Sequence, residues 1–167
     1  LLPWLNVQDN VAFGLNFDSQ PNLSREQRKQ RVTQAIEEVG LSHAAHLFPA
    51  ALSGGMAQRV SLARILARNP EIWLLDEPFS ALDPVTRTEM QNLLRELISR
   101  HKASAIMVTH DIDEALIVSD RAILIGNRPG HQIGEWMLNQ PYPRHDALLE
   151  MNNERVEILQ TLRNAHS

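Results

Sequence analysis

Residues 71–78 read Glu71-Ile72-Trp73-Leu74-Leu75-Asp76-Glu77-Pro78, an apolar run that ends in two adjacent carboxylates and a proline. Glu71 to Leu75 has the length and apolar character of a buried β-strand, with the two acids at its carboxyl end. Two more short apolar runs follow, Ala103 to Val108 and Arg121 to Ile125, and each reads as a strand. Between the first pair, Asp83-Pro84 joins an N-cap residue to the proline favoured at the first helical position. The helix it opens carries Met90, Leu93, Leu94, Leu97 and Ile98 on one side. Between the second pair, Asp111 with Glu114 caps a helix to about Val118. Strand, helix, strand, helix, strand over residues 71–125 predicts an α/β fold, with a parallel sheet, right-handed crossovers and flanking helices. Ligands of such sheets bind beyond the carboxyl ends of the strands, where Asp76, Glu77 and His110 fall. Three very apolar parallel strands make a short sheet, so part of it is expected to be missing.

Upstream, Ser53 opens a helix to about Asn69, with Pro70 after it. Ser24 and Gln27 form a capping-box pattern ahead of Val32, Ala35, Ile36 and Val39, which share one helix face, and Gly40 is the natural stop. Ser42 is expected to cap a short helix through Phe48, ended by Pro49. Pro3 to Gly14, with Val7, Val11 and Phe13, reads as a short helix or turn, and Asp18 to Leu23 as a loop. Downstream, Arg128-Pro129-Gly130 turns the chain and Gln132 to Met137 alternates like an exposed strand. From Asp146, the spacing of Leu149, Val156, Leu159 and Leu162 predicts a terminal helix. There is no internal repeat.

The 167 residues suit one ordinary domain, and 43% apolar with 22% charged residues excludes a disordered or fibrous chain. Sixteen Lys and Arg against 20 Asp and Glu give a net charge of -4, which excludes a strongly basic nucleic-acid footprint. No apolar run approaches the roughly 18 residues of a membrane-spanning helix. The absence of cysteine rules out disulfides and thiolate metal sites. A soluble, intracellular globular protein is the class expected. The opening Leu1-Leu2-Pro3-Trp4, apolar and without an initiator Met, reads as cut from something longer.

Three stretches carry chemistry. Leu52-Ser53-Gly54-Gly55-Met56-Ala57-Gln58-Arg59 puts a serine and two glycines at the start of a long helix. Free amides and the positive dipole end suit an anion there, and a plain serine cap with a tight turn is the simpler alternative. At Asp76-Glu77 the first acid could hold Mg²⁺ and the second could orient or deprotonate a water; equally, the strand could simply exit into solvent there. His110 could touch a terminal phosphate or be an ordinary polar residue at a strand end. His43 and His46, three apart, permit a metal, but without a third ligand they read as solvated helix residues. The run Arg25, Arg28, Lys29, Arg31 reads as a solvated face, and Trp4, Trp73 and Trp136 as packing, with Trp4 at the surface.

Order and spacing say more than any single element. Ser-Gly-Gly, about 20 residues to Asp-Glu, then Ser80-Ala81-Leu82-Asp83, then Thr109-His110-Asp111 is hard to obtain by chance. From Leu1 to about Trp136 the chain resembles the ATP-binding subunit of an ABC transporter. Leu52 to Gln58 matches the signature motif, Ile72 to Glu77 the Walker B strand with its catalytic glutamate, Ser80 to Asp83 the D-loop and His110 the switch histidine. Leu1-Leu2-Pro3-Trp4-Leu5-Asn6-Val7 with Asp9-Asn10-Val11 resembles the nitrate, sulfonate and taurine importer branch.

The resemblance implies a P-loop NTPase cassette with ATP and Mg²⁺ as cofactors, its ATP lying between two subunits of a head-to-tail dimer. Ser53, Gly54, Gly55, Gln58 and Asp83 would serve nucleotide binding, with Ser53 and Gly55 contacting the γ-phosphate held by the opposite subunit. Asp76 would hold Mg²⁺ through water, Glu77 would polarise the attacking water, and His110 would steady the γ-phosphate. Residues 1–50 correspond to the helical subdomain that meets the membrane subunit, 51–137 to a portion of the ATPase core, and 138–167 to a helical tail. Partners implied are a second ATPase subunit, transmembrane permease subunits and, indirectly, a solute-binding protein, but no nucleic acid. The implied place is peripheral, on the cytoplasmic face of the inner membrane.

One departure is serious. No G-x-x-x-x-G-K-[ST] occurs, so the phosphate-cradling loop and its lysine are lacking. The chain thus resembles the C-terminal two-thirds of a cassette, and alone it is expected to have negligible ATPase activity and to expose apolar sheet edge. Two other readings stay open: an ABC ATPase of DNA repair or translation, and a non-enzymatic module that docks a partner. The short spacing from Gly55 to Asp76 argues against the first, and retained Glu77 and His110 weigh against the second.

Overall fold

A computed structural model describes residues 1–17 and 22–165, which fall into two compact units that divide between Met107 and Val108. The first contains α1 (Val7–Phe13), α2 (Arg25–Glu38), α3 (Gly54–Arg68), β1 (Ile72–Asp76), α4 (Pro84–His101) and β2 (Ser104–Val108), whose last residue opens the second unit. The second contains α5 (Ile112–Val118), β3 (Arg121–Gly126), β4 (His131–Met137) and α6 (Asn152–Ala165).

Helix starts follow the capping residues. Asn6 caps α1 by accepting from Asp9 N–H at 2.8 Å. Ser24 and Gln27 close the expected capping box on α2, each accepting from the other's backbone N–H, at 3.1 and 2.9 Å. Val32, Ala35 and Ile36 are buried along α2, as their spacing predicts, and Gly40 takes φ 73° just past its end. Asp83 and Asp111 cap α4 and α5 with their side chains. Ser42 behaves differently from expectation. It is the first residue of a single 3₁₀ turn, Ser42–Ala44, whose cap position is Leu41, and its side chain caps nothing. Of the expected loop Asp18 to Leu23, residues 18–21 lie outside the described residues.

β1 and β2 pair, with Ser104 N–H donating to Glu71 O at 3.0 Å, so the two strands start together and run in the same sense around the α4 crossover. The third expected strand forms but does not join them. β3 pairs antiparallel with β4, from Arg121 opposite Met137 to Gly126 opposite His131. The turn around Pro129 and Gly130 is short enough for a hairpin, whereas a parallel neighbour needs a crossover of a dozen residues or more.

Neither are the strands buried on both faces. Trp73 and Leu75 of β1 are buried, but Ile72 and Leu74 are 56% and 73% exposed. Ile106 and Val108 of β2 are exposed as well. In the second unit Leu116, Leu138, Met151 and Ile158 form the core, flanked by Leu124, Trp136 and Leu162. Thus α6 turns Ile158 and Leu162 inward; Val156 and Leu159 are exposed, and Leu149 precedes the helix at 88% exposure.

Candidate functional site

At the start of α3, Ser53 Oγ accepts from Met56 N–H at 3.2 Å and Ser53 O accepts from Ala57 N–H at 2.9 Å. Gly54 and Gly55 occupy the first two helical positions, ahead of the first intrahelical bond, so their amides face outward from the positive end of the helix. Gln58, on the next turn, is half-buried. Of the two glycines, Gly55 is there for space. A Cβ on Gly55 would lie 2.5 Å from Thr86 Cγ2, and one on Gly54 would meet Leu82 Cδ2 at 3.8 Å and Ala81 O at 3.9 Å. The segment Ser80 to Asp83 and the first turn of α4 therefore press against the start of α3. Two stretches singled out separately in the sequence are brought together.

Asp76 ends β1 and is exposed; Glu77 follows, half-buried, at φ 45°. This left-handed backbone suits glycine, and a glutamate held there marks a constrained position of the kind that gathers at functional sites. The constraint is visible in the chain that follows. Ser80 donates to Glu77 O from both N–H (3.3 Å) and Oγ (3.1 Å), Leu82 N–H donates to Phe79 O at 3.1 Å, and Phe79 is fully buried. Asp83 then caps α4, accepting from Val85 and Thr86 N–H at 3.1 Å each. The Thr86 hydroxyl, and after it the Thr86 amide, hold the Asp83 carboxyl below its ordinary value. Seven residues thus join the strand-end carboxylates to the glycine pair.

Arg59, one turn into α3, donates to Val39 O at 3.0 Å and lies 3.6 Å from Glu89, tying the end of α2 and the side of α4 to the same helix. Sequence reasoning missed this residue, the Gly55–Thr86 contact and the backbone of Glu77. The paired glycines were the one signal of close approach.

His110 belongs to the second unit, two residues past β2, and is exposed. Its neighbours are fixed: Thr109 Oγ1 donates to Glu114 Oε2 at 2.8 Å and accepts from Asp111 N–H at 3.1 Å, while Asp111 accepts from Glu114 N–H at 3.1 Å. His43 and His46 are exposed, and among the described residues no group of three or more His, Cys, Asp or Glu is placed to hold a metal. Chemically, the first unit offers helix-start amides for an anion, an exposed carboxylate for a hard cation and a second carboxylate able to handle a proton.

Residues 1–80 match the ABC transporter family. Over 99% of its length the chain is 46% identical to the aliphatic sulfonates import ATP-binding protein SsuB 1 of Xanthomonas axonopodis pv. citri, covering 66% of that protein. The protein of the same name from Pseudomonas syringae pv. syringae is also 46% identical, with 67% of its length covered. Identity is again 46% to the bicarbonate transport ATP-binding protein CmpC of Synechococcus elongatus, across 86% of this chain and 22% of that one. The chain thus spans about two thirds of the sulfonate relatives it matches. Among solved structures, a dimeric ATP-binding cassette in a post-hydrolysis state, bound to ADP and Pi, superposes on 84% of this chain and 60% of its own, with TM-score 0.68 and 34% identity.

Proposed function

The chain belongs to the ABC transporter family, and from that premise we propose that it serves as the ATP-hydrolysing subunit of an importer of a small anion such as a sulfonate, nitrate, taurine or bicarbonate. Its α/β fold is that of an ATP-binding cassette. The observation that carries the reading is the packing of the Gly54-Gly55 helix start against Ala81, Leu82 and Thr86, on the segment that follows a constrained Glu77. That assembly presents anion-binding amides and acidic groups from one continuous piece of the first unit.

The residues suit Mg-ATP. An exposed strand-end Asp76 offers the hard oxygen that Mg²⁺ takes, and Mg²⁺ is ordinarily held by one or two carboxylates together with phosphates rather than by an all-protein cage. When bound, Mg-ATP supplies the γ-phosphate and the charge that offsets its transfer. Glu77 orients the attacking water and takes its proton. His110 steadies the γ-phosphate by donating to it. Ser53 and Gly55, with Gly54, Gln58 and Asp83 setting the shape around them, complete the site of an opposing subunit. Positioning and charge neutralisation of this kind supply most of the catalysis in phosphoryl transfer.

No G-x-x-x-x-G-K-[ST] occurs in these 167 residues, and negligible turnover by these residues alone is part of the proposal. The partners are a second ATPase subunit, which contributes a phosphate-cradling loop to the shared site, and permease subunits met by residues 1–50, with a solute-binding protein behind them. Residues 51–137 carry the ATPase core portion and 138–167 the tail. No helix among the described residues is long and apolar enough to cross a membrane, which suits a peripheral subunit on the cytoplasmic face.

Complementation tests the reading. An importer cassette that has its phosphate loop but a disabled signature serine should regain Mg-ATP hydrolysis when this chain is added, and Ser53→Arg should abolish the gain. Failure to restore turnover would sink the proposal, leaving a partner-docking module if binding persists. Hydrolysis by the chain alone, lost in Glu77→Gln, would overturn the need for a separate phosphate loop.

A further inference from the structure

We propose that Arg155, on the C-terminal helix α6, is a positioning residue for His110, acting through Asp113 in the first turn of α5. The inference rests on the functional reading of His110 given above, but its geometry lies wholly within the second unit. Arg155 meets Asp113 with two nitrogens: Nη2 donates to Oδ2 at 3.0 Å, and Nε lies 2.8 Å from Oδ1 as an ion-pair contact, Oδ1 accepting no hydrogen bond. One charge-assisted hydrogen bond with a second nitrogen alongside holds the two side chains to each other. His110, Asp111, Ile112, Asp113, Arg155 and Leu159 line one cavity of about 300 Å³, so the ion pair stands in the wall that the histidine shares.

Restraint passes to His110 from both sides of α5. Its own loop is tied down by Thr109 Oγ1 on Glu114 Oε2 and by Asp111 capping the helix. Glu114 is 4% exposed, which makes that tie rigid. α5 in turn shares one buried cluster, through Leu116, with Met151 and Ile158, and Arg155 is paired with Asp113 in the first turn of α5, the end nearest His110. Both members of the pair are partly exposed, 48% and 39%, so the pair contributes little to stability and its effect is orientation. A tail helix with this contact governs how firmly the histidine is held, wherever its phosphate comes from.

The test uses the purified chain, with the His110 imidazole signal identified among the seven histidines by its loss in His110→Gln. In Arg155→Ala the signal should split or broaden about twofold or more as the loop samples additional conformations, with the thermal midpoint unchanged. Arg155→Lys keeps the charge with a single nitrogen in place of two and should restore the signal only in part. The exchanged pair Asp113→Arg with Arg155→Asp should restore it. An unaltered His110 signal in Arg155→Ala overturns the proposal, as does broadening that comes with a lowered midpoint, since that is loss of folding rather than of position. None of these outcomes depends on ATP, so a failed complementation assay and a failed positioning role remain distinguishable.

Discussion

Gly55 and Asp83 both depend on Thr86. A methyl group on Gly55 would sit 2.5 Å from Thr86 Cγ2, against the ordinary contacts of 3.8 and 3.9 Å that await one on Gly54. Gly55→Ala should therefore cost about 1–3 kcal/mol, the range for overpacking, whereas Gly54→Ala should be neutral or slightly stabilising. Chemical denaturation of both variants decides this, and Thr86→Ser in the Gly55→Ala background, which removes Cγ2 alone, should return most of the loss. Equal effects at the two glycines would refute the close approach of α3 and α4. Asp83 uses the polar side of the same threonine. Its carboxyl is held below the ordinary 3.8 by the Thr86 hydroxyl first and the amide second, so the folded state favours the charged form. Stability from this cap is complete above the unfolded value and is lost as pH falls through the lower folded one. Between pH 5 and pH 3 the wild-type midpoint should fall more steeply than that of Asp83→Asn, which keeps an acceptor but does not titrate.

Among the elements, Arg144 holds together more of the second unit than any apolar position forecast from the sequence. At 2% exposure it donates to four backbone carbonyls: Nε to Gln140 O at 2.8 Å, Nη1 to Leu116 O at 3.1 Å and to Ser119 O, and Nη2 to Leu138 O at 2.7 Å, with the Tyr142 ring 4.0 Å away. Arg144→Met fills similar volume but orphans those carbonyls, and should destabilise the chain by about 3 kcal/mol or more in denaturant unfolding. A loss below about 1 kcal/mol would mean that water replaces the guanidinium. Asn10 does the same on a smaller scale, bonding Leu2, Leu5 and Asn6 from a fully buried position. Neither residue was legible, because apolar periodicity is blind to a polar side chain whose partners are carbonyls scattered along the chain. Caps were legible at Ser24, Ser53, Asp83 and Asp111, because one side chain satisfies amides two or three residues ahead. So were the carboxylates at the end of β1. Strand pairing was not: β3 reads the same whether its neighbour is parallel or antiparallel, and only the short return through Pro129 and Gly130 selected β4. On α6, Val156 and Leu159 have the right spacing for a buried face, but Ile158, with Met151 just before the helix, is taken into the core instead.

At the scale of the whole chain, the open sheet face matters most. Parallel strands are ordinarily covered on both sides, yet Ile72 and Leu74 of β1 and Ile106 of β2 present one apolar face that nothing in the first unit covers. The sequence led to an expectation of exposed sheet edge, which a two-stranded β1-β2 sheet has on both sides; a face of β1 and β2 is exposed as well, because side chains alternate and only Trp73 and Leu75 find a core. Ile72 and Leu74 also line, with Gly14, Phe17, Arg64 and Arg68, a cavity of about 430 Å³. Apolar surface gathered in one recess favours association. The purified chain should self-associate with concentration, and Leu74→Glu should weaken that association about tenfold or more, since burying one leucine is worth about 1.5–3 kcal/mol. Leu74 is 73% exposed, so the same substitution should leave the unfolding transition where it was. Sedimentation across a range of concentrations measures the first effect and denaturant unfolding the second. A chain that stays monomeric throughout, or a Leu74→Glu variant that unfolds while wild type does not, would mean that this face is already covered within the protein.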